Sequence, residues 1–110
     1  MNGVSAKIYN LGTKDGQWLG EAVLLSDGMF SAVTDYGNFA YAWRSFGDNF
    51  EDFILRINPE YFAGKLVSGI AYTVYPTKKI EASFSRAAAV ILPALQAAII
   101  KSREDSNAKE

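Results

Sequence analysis

The first half of the chain alternates between apolar and polar positions with a period of two, which is typical of half-buried β-strands. Residues 4–11, 17–25, 29–35 and 39–45 follow this pattern. Asp27-Gly28, between the second and third segments, is a strong signal for a tight hairpin. Gly37-Asn38 predicts a further turn, because both residues tolerate a positive φ. The pattern therefore predicts an antiparallel meander of four strands.

After the fourth strand the apolar positions recur with a helical period of about 3.6 residues. Asp48 is expected to cap a first helix over residues 49–57. Asn58 and Pro59 suit the cap and the first position of a second helix, because the missing N–H of proline is not needed there. Gly69 is expected to end that helix.

The last part of the pattern predicts a long C-terminal helix that begins after the capping residue Thr77. Its apolar stripe consists of Ile80, Phe84, Ala88, Ile91, Leu95 and Ile99. Pro93 is expected to kink this helix, because its ring clashes with the preceding turn and removes a hydrogen bond. Residues 70–75 alternate and are β-branched, which indicates a fifth strand or an extended connection. Strands followed by helices predict an α+β fold.

The chain has 110 residues, of which 49% are hydrophobic, 14% aromatic and 21% charged. This is typical of one globular domain, expected over residues 1–103, with the polar residues 104–110 as a flexible tail. The sequence has no histidine and no cysteine. Imidazole and thiol catalysis, disulfides and His- or Cys-ligated zinc are therefore excluded. We expect a cytoplasmic protein that is not an enzyme and binds no cofactor.

Neither a membrane segment nor a metal site is expected. The longest apolar run, residues 87–100, is too short to cross a bilayer, and the N-terminal residues lack the pattern of a secretion signal. Asp48, Glu51 and Asp52 could be drawn as a cation site. Carboxylates at a helix start are, however, the ordinary complement of its positive end.

Residues 34–47, TDYGNFAYAWRSFG, are rich in aromatic rings. Alternation along this strand places Phe39, Tyr41 and Trp43 on one face. Two interpretations are open. The rings form core beneath the helices, which the burial of three large rings favours. Alternatively they are exposed as a platform, while the alanines on the other face pack closely against a helix.

In the second interpretation the rings and the adjacent turn bind a partner. The predicted binding residues are Asp35, Tyr36, Asn38, Phe39, Tyr41, Trp43 and Arg44. Tyr, Trp and Arg are typical anchors of protein interfaces, and Asp35 and Asn38 would orient the turn or bond the partner at the rim. The rings could also stack the bases of single-stranded nucleic acid, but a net charge of −1 provides no positive field for phosphates. A protein partner is therefore expected, and nucleic acid is the alternative.

The aromatic segment and the residues that follow it resemble a segment of other proteins. TDYGNFAYAWRSFG followed by FEDFILRINPEYFAGKL, within residues 29–66, resembles a segment of small phage- and prophage-encoded proteins of unassigned role. The matching positions are Asp35, Tyr36, Gly37, Asn38, Tyr41, Trp43, Phe50, Phe53, Tyr61 and Lys65. The resemblance implies a phage protein that inhibits or redirects a host protein complex, such as an anti-CRISPR inhibitor of anti-phage defence, or a small accessory or structural phage protein. It carries neither a fold nor a known site with it.

Self-association is a further prediction. The first or the fourth strand is expected to be an open edge, and Val90, Leu92 and Ile100 lie off the main stripe of the long helix. A two-fold dimer commonly covers exposed apolar surface of this kind. The sequence therefore indicates a homodimer.

Overall fold

A computed structural model of the chain describes residues 3–70 and 76–108. They form an α+β fold, as the sequence predicts. The strands are β1 (Ala6–Gly12), β2 (Trp18–Leu25), β3 (Met29–Thr34) and β4 (Gly37–Ala42), followed by the helices α1 (Phe50–Arg56), α2 (Pro59–Ile70) and α3 (Lys78–Ala108). The strands form one antiparallel sheet in the order β1-β2-β3-β4, so the predicted meander is confirmed and β1 and β4 are its edges. Ile70 ends α2, and the rest of the predicted fifth strand, residues 71–75, lies outside the described residues.

The turn between β2 and β3 is the predicted one. Gly28 has a φ of 102°, and its N–H donates to the carbonyl of Leu25 at 3.0 Å. The Gly28 carbonyl then accepts from the N–H of Trp43 at 2.9 Å. The turn of the β2–β3 hairpin is therefore hydrogen-bonded to the residue that follows β4.

The turn between β3 and β4 differs from the prediction by two residues. Thr34 pairs with Gly37, so the loop consists of Asp35 and Tyr36 rather than Gly37-Asn38. Gly37 still supplies the positive φ, 124°, but does so as the first residue of β4. The change carries Tyr36 out of the strand and onto the tip of the hairpin.

The core lies on one side of the sheet. Alternate strand residues, among them Tyr9, Ala22, Phe30 and Phe39, are buried beneath the helices. The predicted stripe of α3 faces them, with Ala88, Ile91, Leu95 and Ile99 fully buried and Ile80 and Phe84 half-buried. Leu92 is also buried in this core, so it is not part of the exposed surface assigned to it from the sequence.

The helix caps place the helices as expected, with one correction. The N-cap of α1 is Asn49, whose side chain accepts from the N–H of Asp52, and not Asp48. Asn58 accepts from Tyr61 N–H at 2.8 Å and Thr77 accepts from Ile80 N–H at 3.2 Å, which confirms both predicted caps. Each cap satisfies a donor that the helix itself leaves open.

Helix α3 runs through Pro93 and continues to Ala108. Residues 104–108, predicted as a flexible tail, are therefore helical. The ion pair between Arg103 and Asp52 of α1, with an N–O distance of 2.6 Å, ties this end of the helix to the domain.

By length and composition alone, α3 is the one helix among the described residues that could cross a membrane. An 18-residue window within Lys78–Ser106 has a mean hydropathy of 1.5, and it is longer than the apolar run considered from the sequence. A core helix passes the same test, and 33% of the window is buried within the fold.

Candidate interaction surface

The aromatic rings of β4 and of Trp43, the residue that follows it, pack in the core or against it. Phe39 and Trp43 are buried and Tyr41 is half-buried, on the same face of the sheet as predicted. The ring of Trp43 lies 4.7 Å from that of Tyr41 and 6.2 Å from that of Phe62 on α2, and its indole N–H donates to the Tyr61 hydroxyl at 3.2 Å. Buried rings cannot contact a partner, so Phe39 and Trp43 are corrected from surface anchors to core residues.

The opposite face of β4 carries the alanines and is exposed. Ala40 and Ala42 face solvent rather than a helix. The helices cover the face with the rings because burial of large apolar side chains stabilises the fold far more than burial of two methyl groups.

The remaining predicted residues lie on the surface. At the hairpin tip, Asp35 and Asn38 are exposed and the Tyr36 side chain is 49% exposed. The hydroxyl of Thr34 holds this tip, because it accepts from the N–H of Tyr36 at 3.0 Å and donates to the carbonyl of Gly37 at 2.9 Å. Tyr36 is therefore presented on a fixed turn.

Arg44 is exposed at the other end of β4. Within the described part of the chain its guanidinium forms neither a hydrogen bond nor an ion pair. The hairpin tip and Arg44 are thus separated by the full length of the strand.

The face that joins them is here called the open sheet face. It consists of the outward-facing strand residues Ala6, Ile8, Asn10, Gly12, Trp18, Glu21, Val23, Leu25, Met29, Ser31, Val33, Asn38, Ala40 and Ala42. Among the described residues no helix covers it, and Ile8 and Val33 are 64% and 59% exposed. An apolar surface of this kind in a folded chain indicates a contact surface.

The strand register arranges this face in rows. Ile8, Val23, Ser31 and Ala40 are successive cross-strand partners and form an uncharged central row. In the next row towards the tip, Asn10, Glu21, Val33 and Asn38 are partners. Glu21 is the single ionisable side chain on the open sheet face as defined.

Two of the three carboxylates at the start of α1, those of Glu51 and Asp52, are engaged in structural contacts. Glu51 accepts from the Tyr9 hydroxyl and pairs with Lys7 at 3.3 Å, while Asp52 pairs with Arg103. Within residues 3–70 and 76–108 no group of three or more acidic side chains is arranged to hold a metal ion. A cleft of about 220 Å³ lies beside Lys7 and Glu51.

A sequence model of the phage family Phage_phiTE_072 matches residues 1–105. The chain belongs to this phage family. The match includes β1, β2 and α3, which lie outside the segment whose resemblance is visible in the sequence. No curated protein and no solved structure matches the chain.

The binding residues predicted from the sequence of this phage protein do not include Trp18. Trp18 pairs with Gly12 across β1 and β2, and paired residues share a face, so its ring lies on the open sheet face, 60% exposed. The register shift at Leu11 and Gly12 makes Leu19 the extra residue of β2, and Leu19 is buried. The Trp18-Leu19 pair in the sequence could have indicated an exposed ring, but only if the position of the bulge were known, because the bulge decides which of the two side chains faces the helices.

Proposed function

We propose that this member of the phage family is a non-enzymatic binding protein of the host cytoplasm that contacts a host protein through the open sheet face and the tip at Asp35 and Tyr36. The observation that carries the proposal is an uncovered, nearly uncharged sheet face with Trp18 at one end. Protein interfaces are depleted of charge at their centre and enriched in Trp, Tyr and Arg. The open sheet face carries a tryptophan and a single charged residue, and Tyr36 and Arg44 lie beyond its two ends.

The size of the surface limits the mode of binding. Four strands about 4.8 Å apart, with about six residues each at about 3.3 Å, give a face of roughly 400 Å². A standard interface buries about 800 Å² on each partner. A stable complex would therefore also use Tyr36 at the tip and Arg44 at the other end of β4, which extend the face along the strand direction.

The charge of the surface favours protein over nucleic acid. Glu21 lies on the open sheet face, and Asp35 lies at its tip. Single-strand binders surround their stacking rings with Lys and Arg that contact phosphates. Two carboxylates at the aromatic end would repel phosphates, so a base-stacking role for Trp18 and Tyr36 is the weaker candidate.

Inhibition or redirection of a host complex is the form of binding that we propose. An inhibitor of anti-phage defence comparable to anti-CRISPR proteins would act in this way, by occupying a surface that the defence complex needs. A small accessory or structural phage protein would use the same face to contact another phage protein.

The test is capture from host lysate with immobilised protein, with and without nuclease, followed by binding of the purified captured protein. Trp18→Ala and Val33→Lys alter the open sheet face at exposed positions, and Ser83→Asp introduces a charge on the exposed side of α3 as the matched control. We expect each face variant to weaken binding by about tenfold or more and the control to leave it unchanged. Affinity should change little between low and high salt.

Retention of the partner by both face variants would exclude the open sheet face as the contact. Loss of capture on nuclease treatment, with affinity that falls steeply as salt rises, would replace the proposal with nucleic-acid binding.

A further inference from the structure

The outward side of α3 is a second surface, and no other element in the described part of the chain covers it. Its exposed positions form one stripe, here called the outer stripe of α3. The stripe consists of Ala82, Arg86, Ala89, Pro93, Ala97, Ile100 and Glu104. These positions are three or four residues apart and therefore lie on one side of the helix. The stripe points away from the core, since Ile91 and Leu95 on the opposite side are fully buried.

The middle of the outer stripe is apolar and its ends are charged. Ala89, Pro93, Ala97 and Ile100 form the middle, flanked by the half-buried Val90 and Ala94. Arg86 lies at one end and Glu104 at the other, and neither forms an ion pair within the described residues. A helix with opposite charges at the two ends of an apolar stripe is complementary to a second copy of itself that runs in the opposite direction.

We propose that two copies of this chain associate through antiparallel packing of α3, about a two-fold axis between Pro93 and Ala97 that sets Arg86 of each copy against Glu104 of the other. The midpoint of residues 86 and 104 falls between Pro93 and Ala97. The register that pairs Arg86 with Glu104 of the second copy therefore also brings the apolar middles of the two stripes together. A two-fold axis repeats every contact, so two ion pairs form for each dimer.

The small side chains permit close packing of the two helices. Ala89 and Ala97 allow interaxial distances near the lower end of the usual range of about 8–10 Å. A groove beside the stripe lies where side chains of the second helix would enter, and it is lined by Gly12, Thr13, Lys14, Ala89, Val90, Pro93, Ala94 and Ala97. Ile100 of the second copy, which is 48% exposed in the single chain, is the side chain that this packing brings closest to Val90.

The expected dimer is reversible. The stripe from residue 82 to residue 104 is roughly 33 Å long at about 1.5 Å per residue, and a strip about 10 Å wide gives roughly 330 Å² on each copy. This is below the roughly 600 Å² on each partner of the smallest stable interfaces. Association in the micromolar range is therefore expected, and it does not depend on the host-protein contact, because the open sheet face lies on the other side of the core.

Sedimentation equilibrium of the full chain over a wide concentration range tests the proposal. The wild-type mass should rise from 12.1 kDa towards twice that value. Ala97→Glu places carboxylates beside the axis and should weaken the dimer by more than tenfold, whereas Ser68→Glu, at an exposed position of α2, should not. Both are helix-surface positions, so circular dichroism should show unchanged folding.

The register is tested by charge reversal. Arg86→Glu alone and Glu104→Arg alone should each weaken the dimer about three- to tenfold, because two exposed ion pairs become repulsive. The double variant should recover the wild-type dissociation constant. A mass of 12.1 kDa at all concentrations would overturn the proposal, as would a dimer that survives Ala97→Glu or is lost in Val33→Lys on the open sheet face.

Discussion

At the scale of single residues, Trp18 in β2 and Trp43, which directly follows β4, have opposite roles. Trp43 is 4% exposed and contacts the rings of Tyr41, Phe50, Phe53 and Phe62, while Trp18 is 60% exposed. Burial of a ring in such a cluster stabilises the fold through apolar area and through edge-to-face and stacked ring contacts. The exposed ring contributes little to folding and is available for binding.

Trp43→Ala is therefore expected to lower the free energy of unfolding by about 3–5 kcal/mol, since it leaves a cavity and the Tyr61 hydroxyl loses its partner. Trp18→Ala should change it by no more than about 0.5 kcal/mol. Urea denaturation followed by circular dichroism measures both. Equal losses in the two variants would mean that Trp18 is also a core residue.

Two glycines provide a second residue-scale prediction. A Cβ at Gly28 would lie 2.1 Å from the carbonyl oxygen of Trp43 and 2.7 Å from the ring of Phe46, at a φ of 102°. Gly28→Ala should therefore destabilise the protein by about 1–3 kcal/mol. A Cβ at Gly64 in α2 meets nothing within 4 Å, so Gly64→Ala should stabilise it by about 0.5–1 kcal/mol. Thermal melts of the two variants should shift in opposite directions, and a neutral Gly28→Ala would contradict the turn described.

At the scale of elements, α1 is a short helix whose end is held by α3. The amide of Gln96 donates to the carbonyl of Ile54 at 2.9 Å and to that of Ile57 at 3.1 Å. Ile54 lies in the last turn of α1 and Ile57 is its C-cap, so neither carbonyl has a partner inside the helix. A seven-residue helix is unstable alone, so this contact and the burial of Phe50 and Ile54 keep it folded.

Gln96→Ala is expected to lower stability by about 1–2 kcal/mol, because the carbonyls of Ile54 and Ile57 lose their donor. Gln96→Glu should lower the free energy of unfolding further at pH 7, since a carboxylate of similar shape would face two carbonyl oxygens and can only accept hydrogen bonds. Protonation restores a donor, so the loss in Gln96→Glu should diminish as the pH falls while that in Gln96→Ala should not. Urea midpoints at several pH values measure the difference, and parallel profiles for the two variants would show that Gln96 does not act as a donor.

The elements themselves were largely predictable, because their signals are local. Turn residues at Asp27-Gly28 and caps at Asn58 and Thr77 act through adjacent backbone groups, and a single sequence contains that information. The tip at Asp35 and Tyr36 was placed wrongly because Gly37 supplies a positive φ equally well in a turn or at the start of a strand.

The candidate surface was less predictable, because it depends on which sheet face the helices cover. In β3 both alternating sets contain apolar residues, with Met29 and Val33 on one face and Phe30 and Ala32 on the other. The helices pack on the face with the larger rings, and Met29 and Val33 on the other face are therefore exposed. Trp18 lies on the same face as Met29 and Val33 because of a bulge in β2, and the sequence carries no clear signal for that bulge.

At the scale of the whole molecule, one core separates two apolar surfaces that residues 3–70 and 76–108 leave exposed. The open sheet face lies on one side of the sheet, and the helices that bury Ile91 and Leu95 lie on the other. The outer stripe of α3 points away from that core. A dimer through α3 would therefore carry two open sheet faces, and two weak contacts with a host assembly would reinforce each other where the spacing of its sites allows.

The two tryptophans allow this separation to be measured in a single experiment. In Trp43→Phe, the indole of Trp18 is the single tryptophan fluorophore, because the chain has two tryptophans. If association uses α3, its emission should stay at the wavelength of an exposed indole and remain open to iodide quenching across the concentrations at which the mass doubles. Trp18→Phe reports the buried Trp43 and serves as the control for folding, with blue-shifted emission and little quenching. A blue shift and loss of quenching in Trp43→Phe as concentration rises would show that the open sheet face, rather than α3, is the surface that a second copy covers.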